Sequence, residues 1–180
     1  MDSLFLLSTA SDTSIKVGVW AAQLIIGLGI AMGSIYLAMR LLNKLTKGID
    51  EEAELKRGNV AVAAMTLGVI ISVTLVTSSG IVGLTDAVTD VRSGASAATW
   101  GRAVGFGVLQ LVAGIVFAVI SIFMAFRIWD RITVNINEVE ELKKGNVAIG
   151  IVLAAVLIGV GLVMREGVSG LASAISTIGN

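Results

Sequence analysis

The chain of 180 residues contains no cysteine, no histidine and no proline. Without cysteine there is no disulfide and no thiolate chemistry, and the sequence carries no mark of an oxidising or a reducing compartment. Without histidine the commonest general base and the commonest metal ligand are gone. The lack of proline leaves helices free to run long, because no residue lacks its N–H or brings a ring clash into a helical turn. Charge is scarce as well. Only 14% of residues are charged, against roughly 25% in a soluble domain, and 13 basic residues balance 13 acidic ones to a formal net charge of zero. Recognition of nucleic acid phosphates needs a basic surplus, so a nucleic-acid partner is not expected.

What the chain has in excess is apolar: 56% of residues are hydrophobic, and the mean hydropathy is +0.93. That surplus must face something other than water, and lipid is the candidate. Glycine numbers 21, a content ordinary for membrane helices, where small residues let helices approach closely. The start, Met1-Asp2-Ser3-Leu4-Phe5-Leu6-Leu7, is acidic with a very short apolar core, so it reads as a lead-in to the first span and not as a cleavable signal.

Crossing ~30 Å of hydrocarbon at 1.5 Å per residue takes about 20 mainly apolar residues. Four runs qualify: 17–39, 60–84, 103–126 and 147–164, none with an acidic or basic residue. The expected fold class is therefore all-α integral membrane, with four transmembrane helices. The segment after the first run carries Arg40, Lys44, Lys47, Lys56 and Arg57, and that after the third carries Arg127, Arg131, Lys143 and Lys144. The opposite side holds only Lys16, Arg92, Arg102 and Arg165. Basic residues in short loops favour the cytoplasmic side, so both termini are expected outside the inner membrane.

One stretch occurs twice at an offset of 87 residues, first as Glu54-Leu55-Lys56-Arg57-Gly58-Asn59-Val60-Ala61, then as Glu141-Leu142-Lys143-Lys144-Gly145-Asn146-Val147-Ala148. The same offset aligns Gln23 with Gln110, Gly27 with Gly114, Arg40 with Arg127, Thr46 with Thr133, Glu51 with Glu138 and Gly83 with Gly170. Each unit holds two spans, an even number, so the units enter the membrane in the same orientation as parallel tandem hairpin repeats. The division is 1–84 for the first unit, 85–102 for an external linker, and 103–180 for the second unit with a carboxyl-terminal external segment. That last stretch is weakly amphipathic and is expected along the outer interface.

The polar segments have a helical grammar. Ile128, Ile132, Ile136, Val139 and Leu142 recur at spacings of four and three, as do Leu41, Leu45 and Ile49 in the first unit. Spans one and three should thus continue as helices beyond the bilayer. Asp50 and Asn137 sit at N-cap positions for short amphipathic cytoplasmic helices at 51–57 and 138–144, Asn137 with Glu140 as a capping box. Gly58 and Gly145 stop these helices, and Asn59 and Asn146 cap the spans that follow.

The pattern from Lys47 to Ala63, Lys-Gly-Ile-Asp-Glu-Glu-Ala-Glu-Leu-Lys-Arg-Gly-Asn-Val-Ala-Val-Ala, resembles the signature of the prokaryotic membrane family called domain of unknown function 350. The second copy departs from it, with Asn137 for Asp50 and Val139 for Glu52. The resemblance implies a small inner-membrane protein of two paired-span units. It implies no particular activity.

Candidate sites follow from polarity and repetition. Gln23 and Gln110 are the amides well inside the spans; they would line a polar path or, more plainly, make an interhelical hydrogen bond. Gly27, Gly29 and Gly33 in the first span, and Gly101 and Gly105 at the third, are small-residue steps for helix contacts within the bundle or between subunits. The cluster Asp50, Glu51, Glu52 and Glu54 offers oxygen to a divalent cation. Its plainer reading is capping plus pairing such as Glu52 with Lys56, because consecutive carboxylates on a helix diverge. No metal or cofactor is expected. A Ser or Thr nucleophile would lack a general base, so no enzyme is expected. The partners expected are the bilayer, further copies or other membrane subunits, and a peripheral cytoplasmic protein at the repeated turns. Two functions remain: a complex-forming scaffold of the membrane, and a channel with a polar constriction at Gln23 and Gln110.

Overall fold

The computed structural model describes residues 3–46, 49–89, 96–133 and 137–178; within these, the side chains of residues 3–16, 18–20, 22, 23, 45, 87–89, 172 and 175–178 lie outside the description. The described residues form six helices: α1 Ser3–Leu45, α2 Glu51–Lys56, α3 Val60–Thr89, α4 Ala97–Ile132, α5 Glu138–Lys143 and α6 Val147–Ile178. Four of them, α1, α3, α4 and α6, are long and apolar enough to cross a membrane, which makes the chain, by length and composition, a multi-pass membrane protein.

The long helices exceed the runs that hydropathy picks out. With no proline to stop it, α1 has 43 residues and α4 has 36. At 1.5 Å per residue α1 is about 65 Å long, roughly twice the hydrocarbon thickness. The linker expected at 85–102 is correspondingly shorter. Helix α3 continues to Thr89, and α4 begins at Ala97 behind an N-cap, where the Ser96 hydroxyl accepts from the Thr99 amide at 3.3 Å. The carboxyl-terminal stretch is not a separate interfacial piece either. Residues 165–178 extend α6 without a break, and neither Gly167 nor Gly170 has the positive φ that would end it.

The two short helices are built alike. Asp50 accepts from the Ala53 amide at 3.0 Å, and Asn137 accepts from the Glu140 amide at 3.3 Å. The reciprocal arm expected of Glu140 goes elsewhere: its carboxylate pairs with Lys144 at 3.0 Å. Both helices end in a Schellman turn. Gly58 (φ 76°) and Gly145 (φ 78°) take the left-handed conformation. The Gly58 and Asn59 amides return to the Leu55 and Glu54 carbonyls, and those of Gly145 and Asn146 return to Leu142 and Glu141, each at 3.0 Å.

Helix α3 is the centre of the bundle. More than half of its span (56%) is buried, against 11% for α1, and Ala61, Val62, Met65, Val69, Val73 and Val76 form the middle of the core. In lipid, burial of apolar surface drives no association, so helices are held by close packing. Three pairs bring α3 and α6 backbone to backbone. A Cβ on Gly150 would lie 2.8 Å from the Ala61 Cα, one on Gly68 2.5 Å from the Ala154 Cα, and one on Gly161 2.9 Å from the Ser72 Cα. The pairs ascend together, so α3 and α6 run in the same direction. Helix α4 runs antiparallel to α3: a Cβ on Gly114 would meet the Gly80 Cα at 3.1 Å, and one on Gly107 the Leu84 Cα at 3.0 Å. Helix α1 packs on α3 and more lightly on α4.

Candidate functional site

The polar chemistry of the chain gathers at the two turns that join α1 to α3 and α4 to α6. In the first turn the Thr46 hydroxyl sits against the Leu42 carbonyl (2.8 Å) and the Glu51 carboxylate. With its amide nitrogen turned toward the acceptors, Asn43 donates to the Met39 carbonyl at 3.0 Å and to the same carboxylate. Glu51 is thus buried at 3% exposure and held by neutral donors. The second turn repeats the clasp with Thr133, the Trp129 carbonyl (2.9 Å) and Glu138. There Asp130 stands at the position of Asn43, so a second acid replaces the amide. A cleft at the second turn is lined by Phe126, Arg127, Asp130, Glu138 and Leu142 together with Thr46 of the first turn.

The remaining carboxylates diverge. Asp50 caps α2; Glu52 pairs with Lys56 at 2.7 Å; Glu54 pairs with Arg57 at 3.1 Å and accepts from Asn59 at 2.9 Å. Among the described residues no group of three or more acids is placed to hold a metal ion. In α5 Val139 occupies the place of Glu52, and Lys143 is exposed. The pairing passes to Lys144, which reaches Glu140 at 3.0 Å and Glu141 at 3.1 Å. Hydrogen bonds from Asn146 and then Lys144 hold the Glu141 carboxyl below its ordinary range. Glu140 first, and then Glu141, push the Lys144 ammonium above its own.

Asn59 does more than start α3. Its oxygen accepts from the Ala61 and Val62 amides at 3.1 and 3.2 Å, and its nitrogen donates to Glu54 and to the Leu142 carbonyl at 2.8 Å. Asn146 repeats one of these bonds, donating to Glu141 at 2.8 Å. The two turns therefore lie side by side, joined by Asn59.

The intramembrane candidates are placed unequally. Gln110 is 6% exposed on α4, its side chain filling the notch left by Gly83 of α3. The side chain of Gln23 lies outside the described residues. Gly27 faces Ile81 of α3, where a Cβ would have ordinary contact at 3.6 Å. A Cβ on Gly29, Gly33, Gly101 or Gly105 would meet open space, so the close helix contacts inside the chain fall on other glycines, such as Gly68, Gly114 and Gly150. G-x-x-x-G spacing alone does not say which face of a helix finds a neighbour. The Thr46–Glu51 clasp was visible as a pattern, since threonine and glutamate five residues apart recur together at the same offset. Its meaning needed the geometry of the α1 end.

The family model described as Domain of Unknown Function (DUF350) matches residues 14–121 and again 103–179. None of the curated proteins and none of the solved structures matches the chain.

Proposed function

The chain belongs to the DUF350 family, and we propose that it is a non-enzymatic component of a prokaryotic cytoplasmic membrane, a scaffold that works by assembling with itself or with other membrane subunits. In this reading it consists of two tandem two-span units in parallel, with both termini outside and the short helices α2 and α5 on the cytoplasmic face. The observation that carries it is the way the polar groups are used. At each turn threonine is tied to glutamate within the unit, Asn59 joins one turn to the other, and Gln110 packs into a glycine notch. The groups that a permeation path would expose serve helix contacts, which favours assembly over a channel. The apolar faces of α1, α4 and α6 are left outward, free for lipid or for other subunits.

Two measurements test this. With an impermeant maleimide, the single cysteine of Ser96→Cys should label in intact cells and that of Arg57→Cys should label in inverted membrane vesicles. Labelling of both from one side overturns the topology. Native mass spectrometry from a mild detergent should show more than one subunit, and a monomer free of any other protein overturns the scaffold.

A further inference from the structure

We propose that the second unit docks a second copy of this chain through the same face by which the first unit holds the second, so that copies join head to tail. This rests on the reading of the chain as an assembling tandem repeat, and it names the surface and the partner.

Along α3 the residues Ala61, Met65, Gly68, Ser72 and Val76 fall at spacings of four, three, four and four, one face of a helix, and all are buried. The residues 87 further on form the same row on α6: Ala148, Val152, Ala155, Gly159 and Val163, all exposed. The inversion is large where it is measured on long side chains. Met65 and Val76 are 0% exposed, while Val152 and Val163 are 42% and 72% exposed. What α6 turns toward α3 is a different face, that of Gly150, Ala154 and Gly161. At 100° per residue this face lies about half a turn around the helix from the exposed row. Its counterparts on α3 are Ala63, Leu67 and Thr74, half-buried or exposed.

The front of one unit thus meets the back of the other. A two-fold contact would use the same patch on both sides and leave nothing over. A front-to-back contact is heterologous and leaves one unused front and one unused back on the molecule. The front is on α6 and the back is on α3.

Two observations identify the occupant as another copy. The first is a swapped fit. Inside the chain Gly161 makes room for Ser72; in the free pair Gly159 stands open on the front, and Thr74, a hydroxyl residue, is exposed on the back. Farther along, Gly80 and Gly83 of α3 receive Gly114 and Gln110 of α4. Their counterparts on α6, Gly167 and Gly170, face open space. The helix that matches α4 is α1, which carries Gly27 and Gln23 at the equivalent positions. The second observation is at the polar turn. Leu142, whose carbonyl receives Asn59, is 0% exposed, while the equivalent Leu55 is 40% exposed. The back of the first unit is uncovered at the turn as it is along the span. A neighbour's α1 and the back of its α3 would lie on α6, with Asn146 facing the neighbour's Leu55 carbonyl. Leu67 in place of Ala154 makes this contact less close than the internal one. It is therefore to be tested in the membrane before extraction.

The chain has no cysteine of its own, so introduced pairs are unambiguous. Differently tagged Gly159→Cys and Thr74→Cys chains, both altered at exposed positions, are coexpressed and oxidised in native membranes with copper–phenanthroline. A reducible dimer carrying both tags is expected, several-fold above a control pairing of Thr74→Cys with Val116→Cys on the outer face of α4. A yield equal to the control overturns the proposed face. If native mass spectrometry of the unaltered chain then still shows oligomers, assembly stands on another interface; if it shows only monomers, the scaffold reading falls as well.

Discussion

The side-chain amide of Asn59 donates to the Leu142 carbonyl at 2.8 Å, across 83 residues of sequence, while the same side chain caps α3. One asparagine therefore carries a local and a long-range task, whereas Asn146 donates locally, to Glu141.

Asn59→Ala should accordingly cost more than Asn146→Ala. Loss of an N-cap is worth about 1 kcal/mol, and the Leu142 carbonyl, which keeps the Gly145 amide, loses its second donor, a net hydrogen bond of roughly 0.5–1.5 kcal/mol. Thermal unfolding of the two variants in one detergent decides it; equal shifts would mean that the link between the turns contributes nothing.

A second contrast lies in the glycines. Gly68→Leu forces a side chain onto the Ala154 backbone and should destabilise by roughly 1–3 kcal/mol, typical of overpacking, or more. Gly29→Leu and Gly105→Leu enter open space and should leave the monomer's stability nearly unchanged. Comparing their unfolding in detergent reads this directly. Equal losses at Gly68 and Gly105 would contradict the packing described.

Thr46→Val removes a donor from a buried carboxylate. Leaving Glu51 with fewer partners should cost about 1–3 kcal/mol, and the change at the less buried Thr133 should cost less. Thr46→Ser, which keeps the hydroxyl, should restore most of the loss in the same denaturation assay.

The exposed pairs at α5 set a pH window. Glu141 has a folded pKa below its unfolded value, so its contribution is present above about pH 4.3 and is lost as pH falls through the depressed folded value. Lys144 has a raised folded pKa, so its contribution is present below about pH 10.4 and is lost as pH rises through the folded value. The contribution of these two groups should therefore be insensitive to pH from about 5 to 9. Carboxyl NMR of selectively labelled Glu141 should titrate lower than in the Asn146→Ala variant. High salt should shrink the difference, because these groups are exposed.

Much of this architecture was legible in residues. The spans followed from apolar runs, and Gly-Asn after Glu-Leu-Lys announced a helix stop and a new start, because only a residue free to take positive φ closes a Schellman turn. The paired threonine and glutamate of the clasp were visible only as a repeat. What the sequence could not tell was the neighbour of each glycine. Gly80 and Gly167 occupy the same repeat position, yet one is buried against Gly114 and the other faces open space. Partner choice is a property of the assembled bundle, whereas periodicity reports only one helix at a time. The apolar runs also did not show the start of α1 at Ser3 or the end of α6 at Ile178, because hydropathy falls at the membrane surface while the backbone hydrogen bonds continue.

Helix α1 runs unbroken from Ser3 to Leu45, and the next residue, Thr46, grips Glu51. A proline-free rod of that length bends only gently. One uninterrupted ladder of backbone hydrogen bonds therefore ties the far end of α1 to the residue before the clasp, with no kink between them.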